Sequence, residues 1–357
     1  MGGPQRCLPD DAARPCLAVG GAPARPPGDP FCFPFFKQEP HMNYSAFSRP
    51  ARVLAVALAA VGLMWSATPS FADEARYASS AAGAAVVSVG PQYDTTHVYV
   101  ASADIDAFVD SFVATFGGKA SPRAVFTVTP TPSKTASQYV QTPVGMLSVF
   151  AFQTPIPRPF GSERTGYLVT DIDRAVRAAR AAGADVLVEP FDDPIGKDAI
   201  IQWPGGLTMQ LYWHTKAPAY APLTLVPDNR VYVSKYEASN FIKRFVRFSH
   251  GRIVSDLRHA DGAEVGKPGE SIRRVRIESG FGNMLVFVTD GKLPYPYGLE
   301  TTGYRVADLD ATLAKARAAK VEVLVEPAAN LEGRTAMVAF PGGYVAELHQ
   351  FDAAAAN

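Results

Sequence analysis

The stretch RTGYLVTDIDRAVRAARAAGADVLVEP (residues 164–190) returns 137 residues later as TTGYRVADLDATLAKARAAKVEVLVEP (residues 301–327). Extended to 161–214 and 298–351, the two copies align without a gap and share 23 of 54 positions. A self-match of that length marks an internal duplication, and it governs every other assignment. Within each copy the apolar period changes. A short β-rich run leads to Asp171 or Asp308, each a good helix N-cap. Ile172, Ala175, Val176, Ala179 and Ala182 then follow at helical spacing to Gly183. Strands are expected at 186–188, 199–203 and 208–213, the last two joined by a Pro204-Gly205-Gly206 turn that recurs as Pro341-Gly342-Gly343.

A weaker match at an offset of 133 extends the pattern upstream. His97-Val98-Tyr99-Val100 aligns with Arg230-Val231-Tyr232-Val233, and Phe108 and Phe112 fall on Phe241 and Phe245. Here Asp104 is the expected N-cap, and Ile105, Phe108, Val109, Phe112 and Phe116 form a helical stripe ending at Gly117-Gly118. Strands are expected at 124–129, 137–141 and 146–152. Strand, helix, three strands, four times over, gives an α+β chain of two repeats, at 94–216 and 228–352. Residues 73–93 and 217–227 are expected linkers.

The amino-terminal part reads differently. Residues 1–41 are rich in Pro and Gly, lack periodicity and hold all three cysteines, Cys7, Cys16 and Cys32. Such a segment buries too little apolar surface to offset its ordering entropy. From Met42 the pattern is that of a secretory signal: Arg49 and Arg52, an apolar run at 53–65, then small residues before Asp73. Thirteen residues are short of the roughly 20 that a membrane span requires. The expectations are a signal peptide at 42–72, an upstream extension at 1–41, and a periplasmic or secreted mature chain without stable membrane insertion. That mature chain holds no cysteine, which removes disulfides and thiolate chemistry. Zero net charge without a Lys/Arg-rich run argues against nucleic-acid binding.

The fourfold βαβββ order, the Asp-hydrophobic-Asp helix start and the Pro-Gly-Gly turn before the last strand together resemble the vicinal-oxygen-chelate superfamily of glyoxalases, bleomycin-resistance proteins and extradiol dioxygenases. The resemblance covers about residues 94–352. It implies two cup-shaped, mostly antiparallel sheets with helices on the outside, each taking a small oxygen-bearing molecule. It also implies a single divalent metal (Mn, Fe, Ni or Zn) held by imidazole or amide and carboxylate, supporting lyase, isomerase or dioxygenase chemistry. The alternative is a metal-free binding or sequestering protein, as a monomer or homodimer.

Carried over by position, the family's first ligand falls on His97 and its repeat partner Arg230. The second falls on Arg164 and Thr301, and the third on Gln210 and Glu347. If each repeat makes its own cup, the trios are His97/Arg164/Gln210 and Arg230/Thr301/Glu347. If modules exchange between repeats, one cup collects His97, Thr301 and Glu347, with His349 two residues beyond Glu347 on the same strand face. The other then collects Arg230, Arg164 and Gln210, a basic set suited to an anion. The exchanged arrangement gathers like chemistry and is the expected one. In it His97, Glu347 and His349 are metal ligands and Glu347 doubles as general base. Arg230, Arg164, Gln210 and Thr301 contact substrate.

Overall fold

The computed structural model describes residues 86–162 and 164–352, with the backbone alone at residue 164. The expected signal segment, its upstream extension and the three cysteines lie outside the described residues. Four helices appear where the stripes place them: α1 (Ile105–Phe116), α2 (Ile172–Ala182), α3 (Ala238–Ser249) and α4 (Leu309–Ala318). Asp171 and Asp308 accept hydrogen bonds from the backbone N–H of Arg174 and Ala311, so both are working N-caps. Asp104 precedes α1 without making that bond.

Residues 95–214 make one sheet. Its central strands are β1 (Thr95–Tyr99), β5 (Met146–Phe152), β6 (Arg164–Leu168) and β9 (Thr208–His214). On one flank lie β4 (Thr135–Gln141), β2 (Lys119–Ala120) and β3 (Ala124–Phe126); on the other lie β8 (Gly196–Gln202) and β7 (Asp185–Asp192). The strand expected at 124–129 stops at Phe126, short of Pro130 and Pro132, which lack the N–H a ladder needs. Residues 228–351 make the second sheet in the same order: β11 (Arg252–Asp261), β12 (Ser271–Ser279), β13 (Gly282–Thr289), β10 (Asp228–Ser234), β14 (Thr301–Arg305), β17 (Val345–Phe351), β16 (Gly333–Ala339) and β15 (Glu322–Ala329).

Each cup therefore belongs to one repeat, and the exchanged arrangement is incorrect. Strand β1 pairs antiparallel with β6, with His97 opposite Arg164, and β10 pairs with β14, with Arg230 opposite Thr301. The partner strand within the repeat follows after one connection, so the nearer partner closes the smaller loop. His97 and Glu347 consequently sit in different sheets.

The exchange between repeats occurs on the back of the cups. Helix α1 packs against α4, and α2 against α3. One apolar core joins α2 and its strands to Phe241, Ile242, Phe245 and Phe248 of α3, with Trp203 against Phe245 and Phe248. The other joins Phe108 and Phe112 of α1 to Leu309, Leu313, Phe340 and Tyr344. Full burial of each such side chain stabilises by roughly 1.5–3 kcal/mol, so these two cores hold the repeats together. The Pro-Gly-Gly turns are the joints. A Cβ on Gly342 would lie 2.9 Å from Val100, and one on Gly205 would lie 2.9 Å from Val233, the matching residue of the other repeat. Between the central strands, Thr96 hydrogen-bonds Thr302, and Thr165 donates to Asn229.

Candidate functional site

Alternation along β1 turns Thr96 to the back and Thr95, His97 and Tyr99 into the first cup. They line a cavity of about 190 Å³ with Ser148 and Phe150 of β5, Tyr139 of β4, Asp198 of β8, and Gln210 and Tyr212 of β9. A chain of polar groups crosses its floor. Gln210 Nε2 donates to Asp198 Oδ2 at 2.8 Å, leaving Gln210 Oε1 to face His97 Nδ1 at 3.0 Å. An amide oxygen can only accept, so Nδ1 carries the imidazole proton and Nε2 is the basic nitrogen. The ring rests edge-on against Phe150 and over Gly166, where a Cβ would fall 2.8 Å from Nε2. The glycine in the repeated Thr-Gly-Tyr motif thus leaves room for the residue at the cup centre. Burial drives the Asp198 carboxyl well above its ordinary range, Asp193 adds to this, and Gln210 offsets part of it. Burial also raises the Tyr212 phenol, with Tyr220 beside it.

The second cup repeats the geometry with opposite electrostatics. Gly303 clears space for Arg230, whose guanidinium meets Glu347 at 2.7 Å. Glu347 also accepts from Thr335 and pairs with His349 Nδ1 at 2.9 Å. Burial would raise the Glu347 carboxyl, but Arg230 and His349 outweigh it and hold it below its ordinary value. Around this pair, fully buried Arg274 lies between Glu264 and Glu332, and Arg276 bridges Glu332 to Asp228. What remains is about 70 Å³, too small for a metabolite.

Of the residues singled out from sequence, His97 and Gln210 share the first cup. Arg164 lies opposite His97 in backbone register, and its side chain is outside the described residues. Arg230, Thr301, Glu347 and His349 belong to the second repeat, where Thr301 Oγ1 donates to Leu299 O and Arg230 sits against Glu347. Arg305 stacks on Phe351. Tyr167 and Tyr304 belong to the cores, whereas Tyr99 and Tyr232 face the cups. Asp198, Tyr139 and Tyr212 were not anticipated. An Asp inside the apolar run of β8 was the available signal, as were Arg274 and Arg276, two apart on one face of β12.

The donor sets do not fit a divalent ion. In the first cup the ligand positions offer one imidazole, already bonded to the amide at the third position, and an arginine at the second. In the second cup a guanidinium lies against the carboxylate and takes the place of a cation. Among the described residues no group of three His, Cys, Asp or Glu could hold a metal.

No family model and no curated protein matches the chain. Solved structures do. A variant of 4-hydroxymandelate synthase from Streptomyces coelicolor aligns with a TM-score of 0.53 at 12% identity, covering 75% of this chain and 94% of that one. A catechol 2,3-dioxygenase aligns at 0.46 and 15% identity, covering 75% and 88%. Identities this low speak for the fold alone. With the topology above, the class is defined: an α+β protein of paired βαβββ cups, the vicinal-oxygen-chelate fold. Within that fold the chain carries two repeats, each with its own sheet. No helix of the described residues is long and apolar enough to cross a membrane.

Proposed function

We propose that the chain is an exported small-molecule-binding protein whose working site is the cup of the first repeat, and that it binds an oxygen-bearing ligand without a metal. The observation that carries this reading is the asymmetry of the cups. One keeps a cavity with aromatic walls and a His97–Gln210–Asp198 floor; the other is filled by ion pairs. The floor presents hydrogen-bonding groups, with the Asp198 carboxyl pushed up by burial, and the walls stack on a ring. This combination suits a neutral ring bearing hydroxyl or carbonyl oxygens. The second repeat then acts as the scaffold against which α1 and α2 pack.

Calorimetry of the full chain with simple phenols and methyl hydroxybenzoates tests the proposal, with Mn, Fe, Ni or Zn added in parallel at millimolar concentration. Binding that His97→Ala and Gln210→Leu each weaken at least tenfold, unchanged by metal, is the expected result. Uptake of one equivalent of metal that His97→Ala abolishes would replace it with the metal-dependent reading.

A further inference from the structure

The first cup does not end at its own wall. Its mouth opens on a basin of about 770 Å³, formed by β2, the β7–β8 turn and the strap 215–220 that leaves β9. The two spaces share Tyr139, Pro194, Ile195, His214 and Tyr220 as a common throat. Beyond the throat the lining surface is mainly apolar, from Ala120, Pro122, Ala217, Pro218 and Ala219, with Ser121, Gln141, Thr215, Lys119 and Lys216 beside them and no acidic side chain among the described residues. Ile195 and Tyr139 remain 42% and 38% exposed there, apolar surface that the described residues do not cover. The strap is held in place. The backbone N–H and hydroxyl of Thr215 both donate to Ile195 O at 3.0 Å, and Tyr220 stands edge-on to Tyr93 at 5.9 Å.

We infer that the ligand of this protein is an elongated amphiphile, with a ring-bearing, hydrogen-bonding head seated on His97 and Gln210 and an apolar tail lying in the basin under the strap. This rests on the reading of the first cup as the binding site. The cup alone is smaller than the 300–1,000 Å³ usual for ligand sites, whereas cup and basin together fall within that range. The order of chemistry along the path matches such a molecule: polar floor, aromatic throat, then Ala/Pro walls. An acid-free basin with two lysines disfavours a cationic tail.

The methyl, butyl and octyl esters of 4-hydroxybenzoic acid, titrated into the full chain with Trp213 fluorescence as readout, test it. Each methylene taken into the basin should improve affinity about fourfold, the equivalent of ~0.8 kcal/mol, over the first several carbons. Ala217→Trp, on the exposed strap, should erase that gain while leaving the methyl ester unchanged. Methyl ester binding without a chain-length gain overturns the two-part ligand and leaves the cup reading standing. A gain that survives Ala217→Trp places the tail elsewhere and also overturns it. No binding of any ester overturns both.

Discussion

The second cup makes its strongest claim through Arg230 and Glu347. Their side chains are 5% and 2% exposed and 2.7 Å apart, so each is the other's nearest opposite charge in a poorly solvated place. Removing one partner of a buried pair typically costs about 3–5 kcal/mol, because the remaining charge stays in a poorly solvated place. Arg230→Met should therefore destabilise by that amount, near 6–20 °C in Tm at about 2–4 °C per kcal/mol for a large domain. Glu347→Leu should cost a similar amount, since Arg230 would lose its partner at 2.7 Å. The double variant replaces both charges with apolar side chains and should return to within about 1 kcal/mol of the parent. The pH dependence supplies a second readout. Glu347 is held below its ordinary value, so its contribution is present above the unfolded-state value and is lost as pH falls through the folded one. The penalty of Arg230→Met should accordingly shrink in acid, where the carboxyl can take up a proton. Urea denaturation of all four proteins at pH 7 and pH 4 measures both effects. A double variant as unstable as the sum of the singles, or an Arg230→Met within 1 kcal/mol of the parent, would refute the view of this cup as a closed ion-pair core.

Three further outcomes are expected. Gly303→Ala places a Cβ 1.9 Å from Arg230 Nη1 and should destabilise by about 1–3 kcal/mol, whereas Gly166→Ala should push the His97 ring aside and weaken ligand binding more than stability; comparable melting curves with unchanged affinity would count against both. Asp198 has a raised folded-state value, so its folded form keeps a proton that the unfolded chain sheds above about 3.9, and stability falls as pH rises through that window. Asp198→Asn should therefore gain on the parent between pH 4 and neutrality, and a parallel pair of stability curves would contradict the assignment. Material secreted from a bacterial host should begin near Asp73 by intact mass, and soluble cytoplasmic protein starting at Met1 would end the proposal of export.

The period of the apolar residues and the duplicated stretch already determined the four βαβββ modules. Helix starts, Gly-terminated helix ends and Pro-Gly-Gly turns are local chemistry, written in the few residues that form them. The family resemblance implied the cup-facing positions, and the repeat offsets set His97 with Arg230, and Gln210 with Glu347, at equivalent sites. Which modules share a cup was not legible. Both arrangements bury the same strand faces, and they differ only in which edge closes on β1 and β10. That choice depends on the chain connection and on long-range packing of α1 with α4 and α2 with α3. The fate of each polar residue followed from it. Glu347 meets a guanidinium because Arg230, 117 positions earlier in the chain, is its neighbour in the folded sheet. Asp198 faces the cavity because β8 lies beside β9. An isolated carboxylate in a sequence carries no record of what will compensate its burial; only the tertiary structure supplies the partner, and with it the chemistry.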